Sequence, residues 1–119
     1  MNNKITAQLK QWRETKGIIK PIGHPNFQTA VELEIDEYTE ACRANNQHEK
    51  IDAINDILIF CLNELALEGY AAELTLKETI KEISSRKGSL DETGRFNKDK
   101  NQPDSELYKA NFSHCKIQS

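Results

Sequence analysis

Residues 48 to 68, HEKIDAINDILIFCLNELALE, constrain the fold of this chain more than any other stretch. At the roughly 100° step of an α-helix, its apolar side chains run from Ile51 and Ile54 through Leu58 and Phe60 to Leu65 and Leu67. They surround the axis and leave only a narrow charged strip of Lys50, Glu64 and Glu68. A helix that is apolar on nearly every side belongs at the centre of a helical domain, so this one is expected to be the most buried. Yet Glu49, Asp52, Asp56 and Asn63 fall within a sector of about 60°, away from the charged strip. They form a polar stripe inside an apolar helix.

The preceding segment, QTAVELEIDEYTEA, has the same period. Phe27, Ala30, Val31, Ile35, Tyr38, Ala41 and Cys42 share one broad arc, with Glu34 inside it and Glu37 at its edge. Glu32, Asp36 and Glu40 occupy the opposite side, where a row of acids is simply solvated. A carboxylate on a core-facing stripe must find a cation, a basic side chain or a proton, because desolvation penalises its charge. No Lys or Arg shares the face of either helix. Hard divalent cations, which prefer oxygen ligands, would neutralise these groups directly.

Two acidic pairs on consecutive helices, Glu34-Ile35-Asp36-Glu37 and Glu49-Lys50-Ile51-Asp52, resemble the E-x-x-E and E-x-x-D signature of the MazG-like, all-α nucleoside triphosphate pyrophosphatases. That family includes dimeric dUTPases and phosphoribosyl-ATP pyrophosphatase. Ala41 follows the first pair as in the family's E-x-x-x-A continuation, and the run from Asp52 to Leu58 looks like the D-A-x-x-D-I-L run of small, including phage-borne, members. The resemblance covers about residues 5 to 87. Two departures stand out: Leu33 precedes Glu34 where the family often has a second acid, and Ala53 stands three residues before Asp56 where many members have Glu. Two registers therefore remain for the second pair, Glu49/Asp52 or Asp52/Asp56. We favour Glu49 and Asp52, with Asp56 as an added ligand or an acceptor behind them.

The resemblance implies a four-helix, all-α bundle subunit over residues 1–87 that works as a homodimer or homotetramer. Residues 88–119 would form an irregular extension packing on the same domain or on a neighbouring subunit. It implies Mg²⁺-dependent hydrolysis of a nucleoside or deoxynucleoside triphosphate to monophosphate and pyrophosphate, a house-cleaning role in the nucleotide pool. Glu34, Glu37, Glu49, Asp52 and Asp56 would hold the metal, with Glu37 and Asp52 in the catalytic roles. Asn55, Asn63, Lys81, Arg86 and Lys87 are the candidate substrate contacts, and Lys77 is a further basic candidate. The rival expectation is a non-catalytic helical protein that binds a nucleotide or a partner helix through the same acidic cleft.

At 119 residues the chain fits one domain, and a net charge of −3 gives no basic stripe for nucleic acid or a membrane surface. Charge is unevenly spread: nine basic and fourteen acidic side chains in residues 1–83, against seven and five in residues 84–119, so the motif half is acidic and the tail basic. Cys42, Cys61 and Cys115 have no C-x-x-C spacing, and two lie on expected core faces, which suggests reduced structural thiols. No N-terminal stretch looks like a signal peptide or a span, and a cytoplasmic protein is expected.

Local signals complete the outline. Ile5, Leu9 and Trp12 predict a short first helix between Thr6 as N-cap and Gly17 as C-cap, with Trp12 in the core. Residues 17–26 should be an ordered loop with His24 on the surface. Asn26 or His24 opens the second helix, and Asn46 with Glu49 reads as a capping box. Gly69 ends the central helix. Thr75 and Glu78 read as a second capping box, opening a helix whose inner face is Leu76, Thr79, Ile80 and Ile83. From Gly88 onward the apolar residues Leu90, Phe96, Leu107, Tyr108 and Phe112 are spaced too irregularly for a helix, which predicts an extended arm.

Overall fold

The structure, a computed structural model, describes residues 4–117. Four helices follow one another: α1 (Ile5–Lys16), α2 (Asn26–Arg43), α3 (Gln47–Leu67) and α4 (Ala72–Ser84). An arm then returns along α4 as a two-stranded antiparallel hairpin, β1 (Gly88–Leu90) and β2 (Phe96–Lys98), followed by two single 3₁₀ turns, Asp104–Glu106 and Ser113–Cys115. The helical expectation holds for residues 5–84, and the small sheet qualifies the all-α description. Among the described residues no helix is long and apolar enough to cross a membrane.

α2 and α3 form the dominant pair, an antiparallel hairpin of helices turned at Asn45 and Asn46. The turn is built locally. Asn45 takes the left-handed conformation at φ 53°, which Asn tolerates better than most residues, and the Asn46 side chain accepts the Glu49 N–H at 3.1 Å. The capping role foreseen for Asn46 is present. At the far end of α1, Gly17 closes the helix at φ 72°, as expected. The helix starts nevertheless before Thr6, which therefore does not cap it; Lys4 occupies that place.

The loop between α1 and α2 is pinned by a residue the helical wheel had put in solvent. Glu64 of α3 accepts the backbone N–H groups of Ile22 and Gly23 at 3.0 and 2.9 Å. The wheel assigned it to a solvent strip because periodicity says which way a side chain points, not which loop will come to meet it. A second correction concerns α4. The helix begins at Ala72, three residues before Thr75, so Thr75 and Glu78 form no capping box; the Thr75 hydroxyl instead donates to the Ala72 carbonyl at 2.8 Å.

The face of α4 that is buried is also not the expected one. Ala72, Thr75 and Glu78 are buried, whereas Leu76, Ile80 and Ile83 are exposed. The arm is the reason. It lies along the Glu78 side, where Glu82 accepts the Ala110 N–H at 3.0 Å and the Ser85 hydroxyl accepts the Tyr108 N–H at 2.9 Å. The arm ends by pairing with the α3–α4 turn: Ala71 N–H donates to the Cys115 carbonyl at 2.8 Å and Ile117 N–H to the Gly69 carbonyl at 2.9 Å, placing Cys115 fully out of solvent.

The chain is open. Its radius of gyration is 17.4 Å, where a compact domain of this length would have about 13.5 Å. The buried apolar residues are the small ones, Ala41, Ala53, Ala72 and Cys115. α3 is therefore not enclosed as its composition suggested: Ala53 is its one buried residue, while Ile51 is 50% and Leu58 53% exposed. Trp12, expected in the core, is exposed, as is Cys42. Among the described residues, exposed apolar stripes include Ile51–Ile54–Leu58 on α3, Leu76–Ile80–Ile83 on α4 and Ile35–Tyr38 on α2.

Candidate metal centre

Glu34, Glu37 and Asp56 form the site. Each offers a carboxylate oxygen, and these oxygens lie within 4.8 Å of one another. The α2–α3 hairpin makes this meeting unavoidable. Ala41 on α2 and Ala53 on α3 are both buried, so two methyl-sized side chains let the helix axes approach. Glu34 lies two turns from Ala41 on the same arc, and Asp56 lies one turn from Ala53 toward the facing side. Glu34 and Asp56 are half-buried, and Glu37 is exposed at the mouth.

The electrostatics of the site are those of unrelieved repulsion. Glu34 Oε2 is shut off from solvent and has no hydrogen-bond partner. Burial raises the Glu34 carboxyl from 4.5 to about 7, and the neighbouring Glu37 and Asp56 carboxylates push it the same way. No salt bridge reaches any of the three among the described residues. Such an arrangement suits a small divalent cation. An octahedral Mg²⁺ with oxygens at about 2.1 Å needs neighbouring ligands about 3 Å apart and opposite ones about 4 Å apart, and the three carboxylate oxygens lie within 4.8 Å of one another. The donor set and the orphaned oxygen both fit a hard cation.

The remaining acids of the expected set lie apart from this group. Glu49 is exposed at the start of α3, in its capping position. Asp52 is exposed, one turn before Asp56. Neither pair left open is gathered whole: Asp56 joins Glu34 and Glu37, while Glu49 and Asp52 stand outside the cluster. Asn55 is exposed, whereas Asn63 accepts from Arg13 Nη1 at 2.7 Å, a cation contributed by α1 that no helical wheel of α2 and α3 could reveal.

The basic candidates are already engaged. Lys77 pairs with Glu73 at 3.7 Å, Lys81 with Glu78 at 3.3 Å, Arg86 with Glu82 at 3.2 Å and Lys87 with Glu106 at 3.0 Å. Lys81 also sits 5.8 Å from the centre of the Tyr108 ring. His24 is exposed beside a cleft floored by Phe27 and Val31.

A second carboxylate centre escaped the periodicity altogether. Glu78 is 3% exposed, yet it accepts hydrogen bonds from the Tyr108 hydroxyl and, at 3.0 Å, from the Asn111 N–H, with Lys81 and His114 nearby. The Tyr108 and Asn111 hydrogen bonds lower its carboxyl to about 2, and Glu78 in turn raises the Tyr108 phenol above its usual value. The one signal available in the sequence was a Glu placed on the side of α4 opposite its apolar stripe, which is indistinguishable from a solvated acid. Compared with family models, curated proteins and solved structures, the chain matches none, so the carboxylate geometry carries the functional conclusion.

Proposed function

We propose that the protein is a Mg²⁺-dependent nucleoside triphosphate pyrophosphohydrolase of the MazG-like kind, working as a homodimer or homotetramer. The observation that carries this reading is Glu34 Oε2, buried, unpartnered and clustered with Glu37 and Asp56. A chain does not hold three carboxylates together without a basic partner unless something else compensates their charge, and a hard cation bridging to phosphate oxygens is the simplest compensation. Glu34, Glu37 and Asp56 would hold the ion. When bound, it would neutralise triphosphate charge and acidify a coordinated water.

Side chains of the protein supply the rest. Glu37, exposed at the mouth of the cluster, and Asp52, exposed one turn before Asp56, are positioned to accept the proton of the attacking water. Asn55, exposed three residues beyond Asp52, is the nearer amide for sugar or phosphate, since Asn63 is held by Arg13. The assembly rests on exposed stripes: large aliphatic residues repeated at helical spacing on α3 and α4 need a cover that one open subunit does not provide.

Screening all nucleoside and deoxynucleoside triphosphates for pyrophosphate release with Mg²⁺, against an EDTA control, tests the reaction. Release from none of them overturns it. The non-catalytic rival draws on one specific observation, that Lys77, Lys81, Arg86 and Lys87 are each already paired with an acid. Tight nucleotide binding without turnover would favour it.

A further inference from the structure

The β1–β2 hairpin is more carefully built than its surroundings require. Each strand has three residues, and all six are exposed. An isolated two-stranded hairpin is marginal in water, but this one is held rigid at its tip. The Asp91 carboxylate accepts the Thr93 N–H at 2.9 Å, the Thr93 hydroxyl at 2.6 Å, the Arg95 N–H at 3.0 Å and the Asn97 amide at 2.9 Å. Gly94 takes φ 84° in the turn, and a side chain at Gly88 would run into the Asn97 carbonyl and the Phe96 ring. The register pairs Leu90 with Phe96 and Gly88 with Lys98, so Leu90, Phe96 and Lys98 stand on one face. Leu90 is 70% and Phe96 48% exposed. That face combines a rigid apolar pair with a cation that makes no salt bridge among the described residues.

Its complement lies elsewhere on the same sequence. The Ile51–Ile54–Leu58 stripe of α3 is exposed, and beside it on α3 stand Asp52 and, at the helix start, Glu49, both exposed and neither ion-paired. The exposed stripe on α4 is flanked by Lys77 and Lys81, and the acids nearest them, Glu73 and Glu78, are already paired with those lysines, which leaves Lys98 no free acid there. The charge balance of the chain points the same way, with an acidic helical half and a basic arm.

We propose that the hairpin of one copy docks on the α3 stripe of a second copy, with Leu90 and Phe96 against Ile51, Ile54 and Leu58 and Lys98 toward the acidic edge. This rests on the homo-oligomer read above, and it makes the arm a clasp between subunits. It also brings Lys98, which makes no salt bridge among the described residues, to the margin of the carboxylate site.

The test mixes two differently tagged full-length variants in a Cys42→Ser background, one carrying Phe96→Cys and the other Ile54→Cys, under mild oxidation. A disulfide joining the two tags is expected, and only same-variant products overturn the proposal. In parallel, Leu90→Ser/Phe96→Ser should weaken self-association at least tenfold in sedimentation with unchanged helical circular dichroism. Unchanged association together with no mixed disulfide removes the clasp while leaving the oligomer standing. A wild-type monomer at every concentration removes both. Neither readout depends on hydrolysis.

Discussion

Glu34, half-buried between α2 and α3, and Glu78, buried between α4 and the arm, are two carboxylates whose surroundings treat the charge in opposite ways. Glu78 is surrounded by donors, the Tyr108 hydroxyl, the Asn111 N–H and the Lys81 ammonium, and its carboxyl falls to about 2. Glu34 is raised to about 7 by burial, and the Glu37 and Asp56 carboxylates beside it push the same way. Satisfied donors make the first a fastener: it ties the arm, thirty residues further along, to α4. Absent donors leave the second in need of a proton or a cation, which is why it serves as the proposed metal site. Burial pushes both carboxyls up, and only the donors around Glu78 reverse that push.

The largest expected effect separates the two on activity. Asp52→Asn and Glu34→Gln should each cost at least a hundredfold in pyrophosphate release, on the order seen when groups at a metal site are lost, with the helical fold intact. Full activity of either variant would remove that residue from the mechanism. Glu78→Ala should do the reverse. It strips the arm of its anchor, leaves the Tyr108 hydroxyl and the Asn111 N–H without their acceptor, and should lower Tm by more than about 10 °C. Hydrogen exchange should show the Ala110 and Asn111 amides losing protection first. Retained protection would mean that the Cys115 strand pairing holds the arm without Glu78.

Metal should act on one centre only. A divalent ion bound to the folded state alone stabilises it by RT ln(1 + [L]/Kd), about 2.7 kcal/mol at a hundredfold excess over Kd, which for a chain of this length is a rise in Tm of roughly 10 °C. The shift should survive in Glu78→Ala and vanish in Glu34→Gln. Melting curves in EDTA, in Mg²⁺, and in Mg²⁺ with a non-hydrolysable deoxynucleoside triphosphate measure it, and equal midpoints in all three would leave the cluster without a cation.

The smallest effect is in the pH dependence, and its sign differs between the two acids. Glu34 binds its proton more tightly folded than unfolded. Its contribution to metal-free stability is therefore greatest below 4.5 and declines as pH rises toward about 7. Glu78 releases its proton more readily when folded, so its contribution is complete above 4.5 and is lost as pH falls toward about 2. A carboxyl titration followed by NMR should place Glu34 near 7 without metal and move it down with Mg²⁺. A Glu34 midpoint near 4.5 in the metal-free protein would mean that the cluster opens in solution.

Short-range periods set the helical segments, the α2–α3 turn and the acids on the facing arcs of those two helices, and these could be read without coordinates. A 3.6-residue repeat puts Glu34 on the arc of Phe27 and Ala41, and the Asn46 cap fixes where α3 begins. Glu34, Glu37, Glu49, Asp52 and Asp56 were legible as an acidic set for that reason, though not which three of them would meet. Choosing between Glu49/Asp52 and Asp52/Asp56 was not, since the register of one helix against another depends on where Ala41 and Ala53 let the axes touch.

Tertiary structure alone decided the rest. Glu64 and Glu78 acquire their roles from segments far away in sequence, the Ile22–Gly23 loop and the Tyr108–Asn111 arm. The arm's own hydrogen bonds then turn α4 so that its apolar stripe faces outward. Periodicity reports which side of a helix is apolar; which side is covered depends on what else the chain, or a second copy of it, can bring there.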